Sequence, residues 1–270
     1  MEKKYDEIRE AVRKNYSKVV ESYVSSAGCG CGDDSNNTCC SPTEPGSFYK
    51  ISSDLGYSET ELLKVPEGSN LGLGCGNPQA IAAIQKHETV LDLGSGAGFD
   101  VFLAANQLKN TGKVIGVDMT PTMISKARDN ARNGNYTNVE FRLGEIENLP
   151  LADHCVDVVI SNCVVNLSPE KQKVFNEVFR VLKSGGRIAI SDVVATTVLP
   201  QKVLEDMAMY SSCISGASTI QELETILSEA GFENIRIQPK DESKAFIRDW
   251  APEIPISEFI VSATIEAVKP

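Results

Sequence analysis

The stretch TVLDLGSGAGFD, residues 89 to 100, decides the fold. Val90, Leu91 and Leu93 are apolar, as a strand buried on both faces requires. Three glycines follow, Gly94, Gly96 and Gly98, and the next residues open a predicted helix over 98–108. Glycines at a strand-to-helix turn let the backbone approach a ligand closely. The nicotinamide fingerprint G-x-G-x-x-G does not fit, because Phe99 stands where its third glycine would be. Asp92, just before the glycines, would repel a pyrophosphate. It would attract a ligand that carries a sulfonium and an amino group.

Outward from this stretch the chain alternates. KVIGVDM (113–119) reads as a strand and 121–133 as a helix. VEFRLGE (139–145) and VDVVISN (156–162) read as strands, 169–183 as a helix, and GRIAISDVV (186–194) as a strand. ENIRIQ (233–238) and SEFIVSATIEAV (257–268) read as closing strands. This pattern predicts an α/β, Rossmann-like, doubly wound fold with a mainly parallel seven-stranded sheet and helices on both faces. Upstream, Ile8, Val12, Tyr16, Val19, Val20 and Tyr23 recur at helical spacing over 3–24. Residues 25–47, rich in Gly, Ser, Asn and Pro, read as a loop. Ser58 with Glu61, and Thr219 with Glu222, have capping-box spacing; the second helix spans 219–230 and stops at Gly231. A glycine-rich turn enters a helix near Pro78, and 200–212 reads as a helix.

The 270 residues carry a net charge of −11, with 41% hydrophobic and 23% charged side chains. That is an ordinary globular composition, and the acidity argues against a nucleic-acid partner. No apolar run approaches the roughly 20 residues of a membrane span. The N-terminus, MEKKYDEIREAVRKNY, has no apolar stretch of a secretory signal. A cytoplasmic monomer without membrane or nucleic-acid partners is expected. Eight cysteines in a reducing compartment point to metal, metalloid or catalytic roles rather than to disulfides. The two histidines, His87 and His154, sit beside polar residues at element ends and are expected at the surface.

Asp118 ends the second strand, 20 residues after Gly98. A carboxylate there accepts hydrogen bonds from ribose hydroxyls. Glu145, in GEIENLP, is placed to accept from an adenine amino group, with Met119 and Ile146 on the two faces of the ring. Asn162, at the end of the fourth strand, borders the same crevice. Asp92, the three glycines, Asp118, GEIENLP and the strand order together resemble the class I methyltransferases over roughly residues 70–195. The resemblance implies S-adenosylmethionine as cofactor.

VVISNCVVNLSPEKQ (158–172) puts a thiol, Cys163, at the mouth of the fourth strand. Taken alone it reads as packing. Cys75 in LGLGCGNP and Cys213 in SSCISGAST change that reading. Three thiols without a histidine make a soft site. Zinc would want a fourth ligand, whereas trivalent arsenic is three-coordinate with a lone pair. That lone pair could attack a sulfonium methyl without a general base, and the protein's task would be to position it and exclude water.

These three cysteine contexts, with DLGSGAGFD and SNCVVNLSPEKQKVFNEVFRVLKSGGRIAISDVV, resemble the arsenite methyltransferases over roughly residues 50–232. The resemblance implies that Cys163 and Cys213 hold arsenic. Cys75 would serve the first methylation, as third ligand or by thiol–disulfide exchange with an N-terminal cysteine. It also implies arsenite and methylarsenite as substrates, and glutathione or thioredoxin as the thiol reductant. Three segments follow: 1–69 with the N-terminal helix and Cys-rich loop, 70–195 the cofactor-binding core, and 196–270 a C-terminal α+β segment that caps the active site and binds arsenic. Cys29, Cys31, Cys39 and Cys40 form CGCGDDSNNTCC. Arsenic capture or redox exchange, with Cys39 or Cys40 as accessory thiol, competes there with adventitious metal binding. Cys155 reads as packing. Two other functions stay open on the residues: methylation of a quinone-type ring carbon, with Cys163 and Cys213 merely packed, and a thiol-rich metalloid sensor without turnover. The intact Asp92 and Asp118 argue against the sensor.

Overall fold

The computed structural model describes residues 2–27, 45–204, 206–251 and 253–270. Cys29, Cys31, Cys39 and Cys40 lie outside these. Seven strands form one sheet: β1 (Thr89–Leu93), β2 (Lys113–Asp118), β3 (Val139–Leu143), β4 (Val156–Asn162), β5 (Leu182–Ala195), β6 (Glu233–Lys240) and β7 (Ile260–Val268). Their order is β3-β2-β1-β4-β5-β7-β6. β1 to β5 pair in parallel, and β7 runs antiparallel to both β5 and β6. The order reverses between β1 and β4, which is the switch point where α/β sheets hold ligands.

Alternate strand residues face opposite layers. Leu91, Leu93, Ile115, Val117, Val159 and Ile190 share one core with Val174, Phe175, Val178, Leu223 and Leu227. Val90, Val114, Val158, Ile160 and Ala189 share the other with Val101, Phe102, Ile124 and Ala127. Both faces are thus covered, which explains the continuous apolar strands.

The helices in chain order are α1 (Glu2–Ala27), α2 (Pro45–Asp54), α3 (Glu59–Leu62), α4 (Gln79–Ala82), α5 (Phe99–Leu108), α6 (Pro121–Asn133), α7 (Lys171–Val181), α8 (Gln201–Leu204), α9 (Met207–Ser211), α10 (Ile220–Glu229) and α11 (Lys244–Ile247). Both capping boxes are formed, at Ser58/Glu61 and Thr219/Glu222. Three readings differ. The loop expected over 25–47 gives way to α2 from Pro45. The helix near Pro78 lasts one turn and ends at Ala83, whose φ is 45°. The helix expected over 200–212 divides, because the Asp206 carboxylate accepts from the Ala208 and Met209 N–H groups and so starts α9 afresh. Both histidines are exposed.

Gly98 does not touch the ligand crevice. It starts α5 at φ 97°, and an added Cβ would lie 2.7 Å from the Phe102 ring and 2.8 Å from the Phe141 ring. Its task is close packing of helix on sheet. Gly98→Ala should therefore cost about 2 kcal/mol or more in urea unfolding. A loss below about 0.5 kcal/mol, the range of a neutral surface change, would show that this account of Gly98 is wrong.

Candidate active site

A cavity of about 860 Å³ opens at the switch point. Asp92, Gly94, Gly96, Asp118, Met119, Ile146 and Asn162 line it, as do Cys163 and Cys213. Asp118 is oriented by the loop it faces. Its Oδ2 accepts from the Gly96 N–H at 2.9 Å and its Oδ1 from the Thr120 N–H at 2.7 Å. Each oxygen keeps a lone pair for a hydroxyl. Asp92 and Asp100 are buried in this wall, and Asp118 is half-buried beside them. Burial, then Asp100 and Asp118, push the Asp92 carboxyl well above the usual range. Burial alone raises Asp118, against the N–H groups that oppose it. Asp100 is pushed up to about 6, chiefly by burial. Three crowded carboxylates, none of them in a salt bridge among the described residues, suit a ligand that brings positive charge. Ser95 Oγ, on the same wall, is buried without a hydrogen-bond partner. These features fit S-adenosylmethionine, with its sulfonium, amino group and ribose hydroxyls.

Two residues read as cofactor contacts are placed elsewhere. Gly98 packs under α5. Glu145 turns outward from the cavity to Arg13 at 3.1 Å and Arg9 at 3.9 Å. The long-range partner that claims it, α1, could not be read from local spacing. Arg9 also meets Glu147 at 3.3 Å and Glu170 at 2.5 Å. With these pairs α1 is tied across the cavity, and Arg9, Val12, Asn15, Tyr16 and Val19 form part of its wall.

Cys163 and Cys213 line the cavity floor, and Cys75 lies behind it beside the Cys163 thiol. Cys75, Cys163 and Cys213 are 1%, 8% and 2% exposed, and all are free. Cys163 and Cys213 adopt φ of 58° and 63°, left-handed values that cost a side chain strain. The Cys163 N–H donates to Ser191 O at 2.8 Å, and Cys163 O accepts from Cys213 Sγ at 2.8 Å. Cys75 Sγ lies 3.6 Å from Ser191 O. Burial pushes the Cys75 thiol up. The neighbouring thiols of Cys213 and Cys75, and then burial, push Cys163 well above the ordinary value. These two thiols are therefore neutral at rest. Cys155, by contrast, lies half-buried at the start of β4, its Sγ 2.9 Å from Ala152 O.

Asn162 is the joint of this floor. Its Oδ1 accepts from the Cys75 N–H at 3.0 Å, and its Nδ2 donates to Gly76 O at 2.8 Å and to the Tyr57 hydroxyl oxygen at 3.0 Å. Tyr57 in turn donates to Asp100 at 2.8 Å. Gly74 rests on the Asn162 side chain, where an added Cβ would lie 2.8 Å away. From the other side Ser262 Oγ donates to Cys75 O at 2.6 Å. The amide read as a cofactor contact thus has its polar atoms engaged by the Cys75 loop. Asp192, missed in the sequence, lies beside the thiols. The signal was present, a carboxylate inside the apolar run IAISDVV. Burial pushes it up to about 6.

Comparison with known proteins agrees with this geometry. The family described as "Methyltransferase domain" matches residues 84–231. The arsenite methyltransferase of Halobacterium salinarum is 53% identical over 98% of this chain and 67% of its own length. That of Aquipseudomonas alcaligenes is 34% identical over 85% of this chain and 63% of its own. This chain thus spans about two thirds of the length of these relatives. The crystal structure of an arsenic(III) S-adenosylmethionine methyltransferase from Chlamydomonas reinhardtii superposes with a TM-score of 0.60, at 30% identity, over 82% of this chain and 73% of that one.

Asn162→Ala should release the Cys75 loop while leaving the sheet intact. Alkylation of the native protein, read by mass spectrometry of the Cys75 peptide, should run at least about tenfold faster, as expected when about 1.4 kcal/mol of restraint is lost. An unchanged rate would show that the amide does not hold the loop.

Proposed function

We propose, from the premise that this chain belongs to the arsenite methyltransferase family, that it methylates trivalent arsenic while arsenic is held by Cys75, Cys163 and Cys213. The observation that carries the reading is a cluster of three buried, unpaired thiols, two of them lining the floor of a cavity whose wall suits S-adenosylmethionine and the third, Cys75, beside Cys163 just behind it. Asp118 would hold the ribose, Asp92 and Asp100 would face the positive end, and Met119 and Ile146 would flank the adenine. When bound, S-adenosylmethionine supplies an electrophilic methyl group on a cationic sulfur.

The chain's own residues do the remaining work. Arsenite enters as a trihydroxide, and each thiol replaces one hydroxide. The sulfur forms its bond to arsenic while its proton leaves with the hydroxide as water. A thiol that enters protonated, as raised Cys75 and Cys163 do, therefore takes its place on arsenic without net proton release, which suits buried groups. Arsenic keeps its lone pair, so no side chain needs to act as a base at the methyl acceptor. α1 and the segment that carries Phe246 and Trp250 line the cavity and would limit the access of water. Arsenic that has given up its lone pair must regain two electrons, and we assign these to a thiol reductant, glutathione or thioredoxin. We place the reaction in the cytoplasm, where these reductants keep the thiols free. Cys39 or Cys40 as accessory thiol belongs to the same proposal.

Incubation of the full chain with arsenite, S-adenosylmethionine and a thiol, followed by arsenic speciation, should yield methylated arsenicals. Their absence, with a menaquinone precursor methylated instead, would favour the ring-carbon alternative. Cys163→Ser and Cys213→Ser should abolish turnover of arsenite and methylarsenite alike. Cys75→Ser should lose arsenite turnover and keep methylarsenite turnover, and equal turnover of both would refute that division.

Asp118→Ala removes two charge-assisted hydrogen bonds, each worth about 1.5–3 kcal/mol. Calorimetry should show S-adenosylmethionine affinity at least about tenfold weaker. Wild-type affinity in the folded variant would remove Asp118 from the site.

A further inference from the structure

The donors at the cavity floor are not only sulfur. The Sγ atoms of Cys75 and Cys163 and a carboxylate oxygen of Asp192 all lie within 4.8 Å of one another. Cys213 Sγ, which donates to Cys163 O at 2.8 Å, lies outside that group but next to Cys163. Asp192 is held as a ligating carboxylate is usually held. Its Oδ1 accepts from Asn166 Nδ2 and from the Val193 N–H, both at 2.8 Å. Its Oδ2 accepts from the Asn166 N–H at 3.4 Å, and the Val165 N–H also favours the carboxylate. Asn166 is itself fixed, donating to Val193 O at 2.6 Å. Lys171, buried nearby and bonded to Gly216 O, supplies a positive charge that faces Asp192.

We propose that Cys75, Cys163, Cys213 and Asp192 form a four-coordinate site for a divalent cation of the zinc type, which occupies the arsenite position and blocks it. Zinc takes sulfur and carboxylate oxygen in a tetrahedron, with Zn–S of about 2.3 Å and Zn–O of about 2.0–2.2 Å. Those bonds put the ligand atoms roughly 3.5–3.8 Å apart, so Cys75, Cys163 and Asp192 close with shifts of about 1 Å, and the Cys213 thiol turns from Cys163 O to complete the tetrahedron. Trivalent arsenic needs three sulfurs and leaves the carboxylate unused. Zinc needs the fourth donor. On binding, three zinc–sulfur bonds and one zinc–oxygen bond form, and the thiol protons pass to the buffer. Nothing is oxidised or reduced. The carboxylate therefore separates the two ions, although they share the thiols. The blocking role rests on the reading that arsenite binds these thiols.

The test is a titration of the full chain with zinc alone against a colorimetric chelator, then displacement by arsenite. Arsenite binding is followed by the fluorescence of Trp250, the sole tryptophan, which lines the cavity. The wild-type chain should hold one arsenite-displaceable zinc. Asp192→Asn should weaken that zinc at least tenfold and leave arsenite affinity within twofold. Should Asp192→Asn fail to fold, Asp192→Ser, shorter and also neutral, carries the same expectation. Zinc affinity unchanged in a folded neutral variant, equal weakening of zinc and arsenite, or, where arsenite binds the wild-type chain, zinc that it does not displace would each overturn the proposal. If arsenite fails to bind the wild-type chain, the arsenite reading falls. Zinc that still depends on Asp192 in that case would leave the metal site standing.

Discussion

The end of β4 is the constraint on which the site depends. Asn162 pairs in register with Ser191 of β5, and Cys163 follows in a left-handed conformation with its N–H on Ser191 O. From these two residues the three thiols are placed. Asn162 holds the Cys75 loop with its side chain, Cys163 offers its own thiol, and Cys163 O receives the thiol of Cys213. A non-glycine residue keeps such a φ only where its surroundings over-determine it. Here the sheet on one side and the Cys213 segment on the other do so. Sites whose donors hang on strand ends are also held more closely than sites on loops alone.

The same strand end joins the thiols to the carboxylate wall. Tyr57 bridges Asn162 and Asp100, so the Cys75 loop and the start of α5 share one hydrogen-bond chain. On one side of that chain lie Asp92, Asp100 and Asp118, crowded and short of positive charge. On the other lie the three thiols. A cationic methyl donor belongs on the first side and an uncharged, thiophilic acceptor on the second. On the proposed reading, the arrangement would sort the two substrates by charge before any chemistry begins.

Local features were legible in the sequence because their causes are local. The glycine loop, both capping boxes, the seven strands and the three cysteine contexts each follow from neighbours in the chain. What was not legible involves partners far apart. Glu145 reads as an adenine contact until Arg9 and Arg13, more than 130 residues away, take it. Asn162 reads as a cofactor contact until the Cys75 loop occupies its amide. Gly98 reads as part of the ligand cradle, yet Phe102 and Phe141 decide it. The split of the 200–212 helix had its signal in Asp206, a good N-cap residue masked by the helical residues around it.

The central claim is that arsenic sits on three sulfurs from this floor. X-ray absorption at the arsenic edge, on the full chain loaded with one equivalent of arsenite, tests it most directly. The account predicts three sulfur neighbours and no oxygen in the wild-type chain, and two sulfurs with one oxygen in Cys213→Ser. Retained oxygen in the wild-type spectrum, or three sulfurs that survive Cys213→Ser, would contradict it.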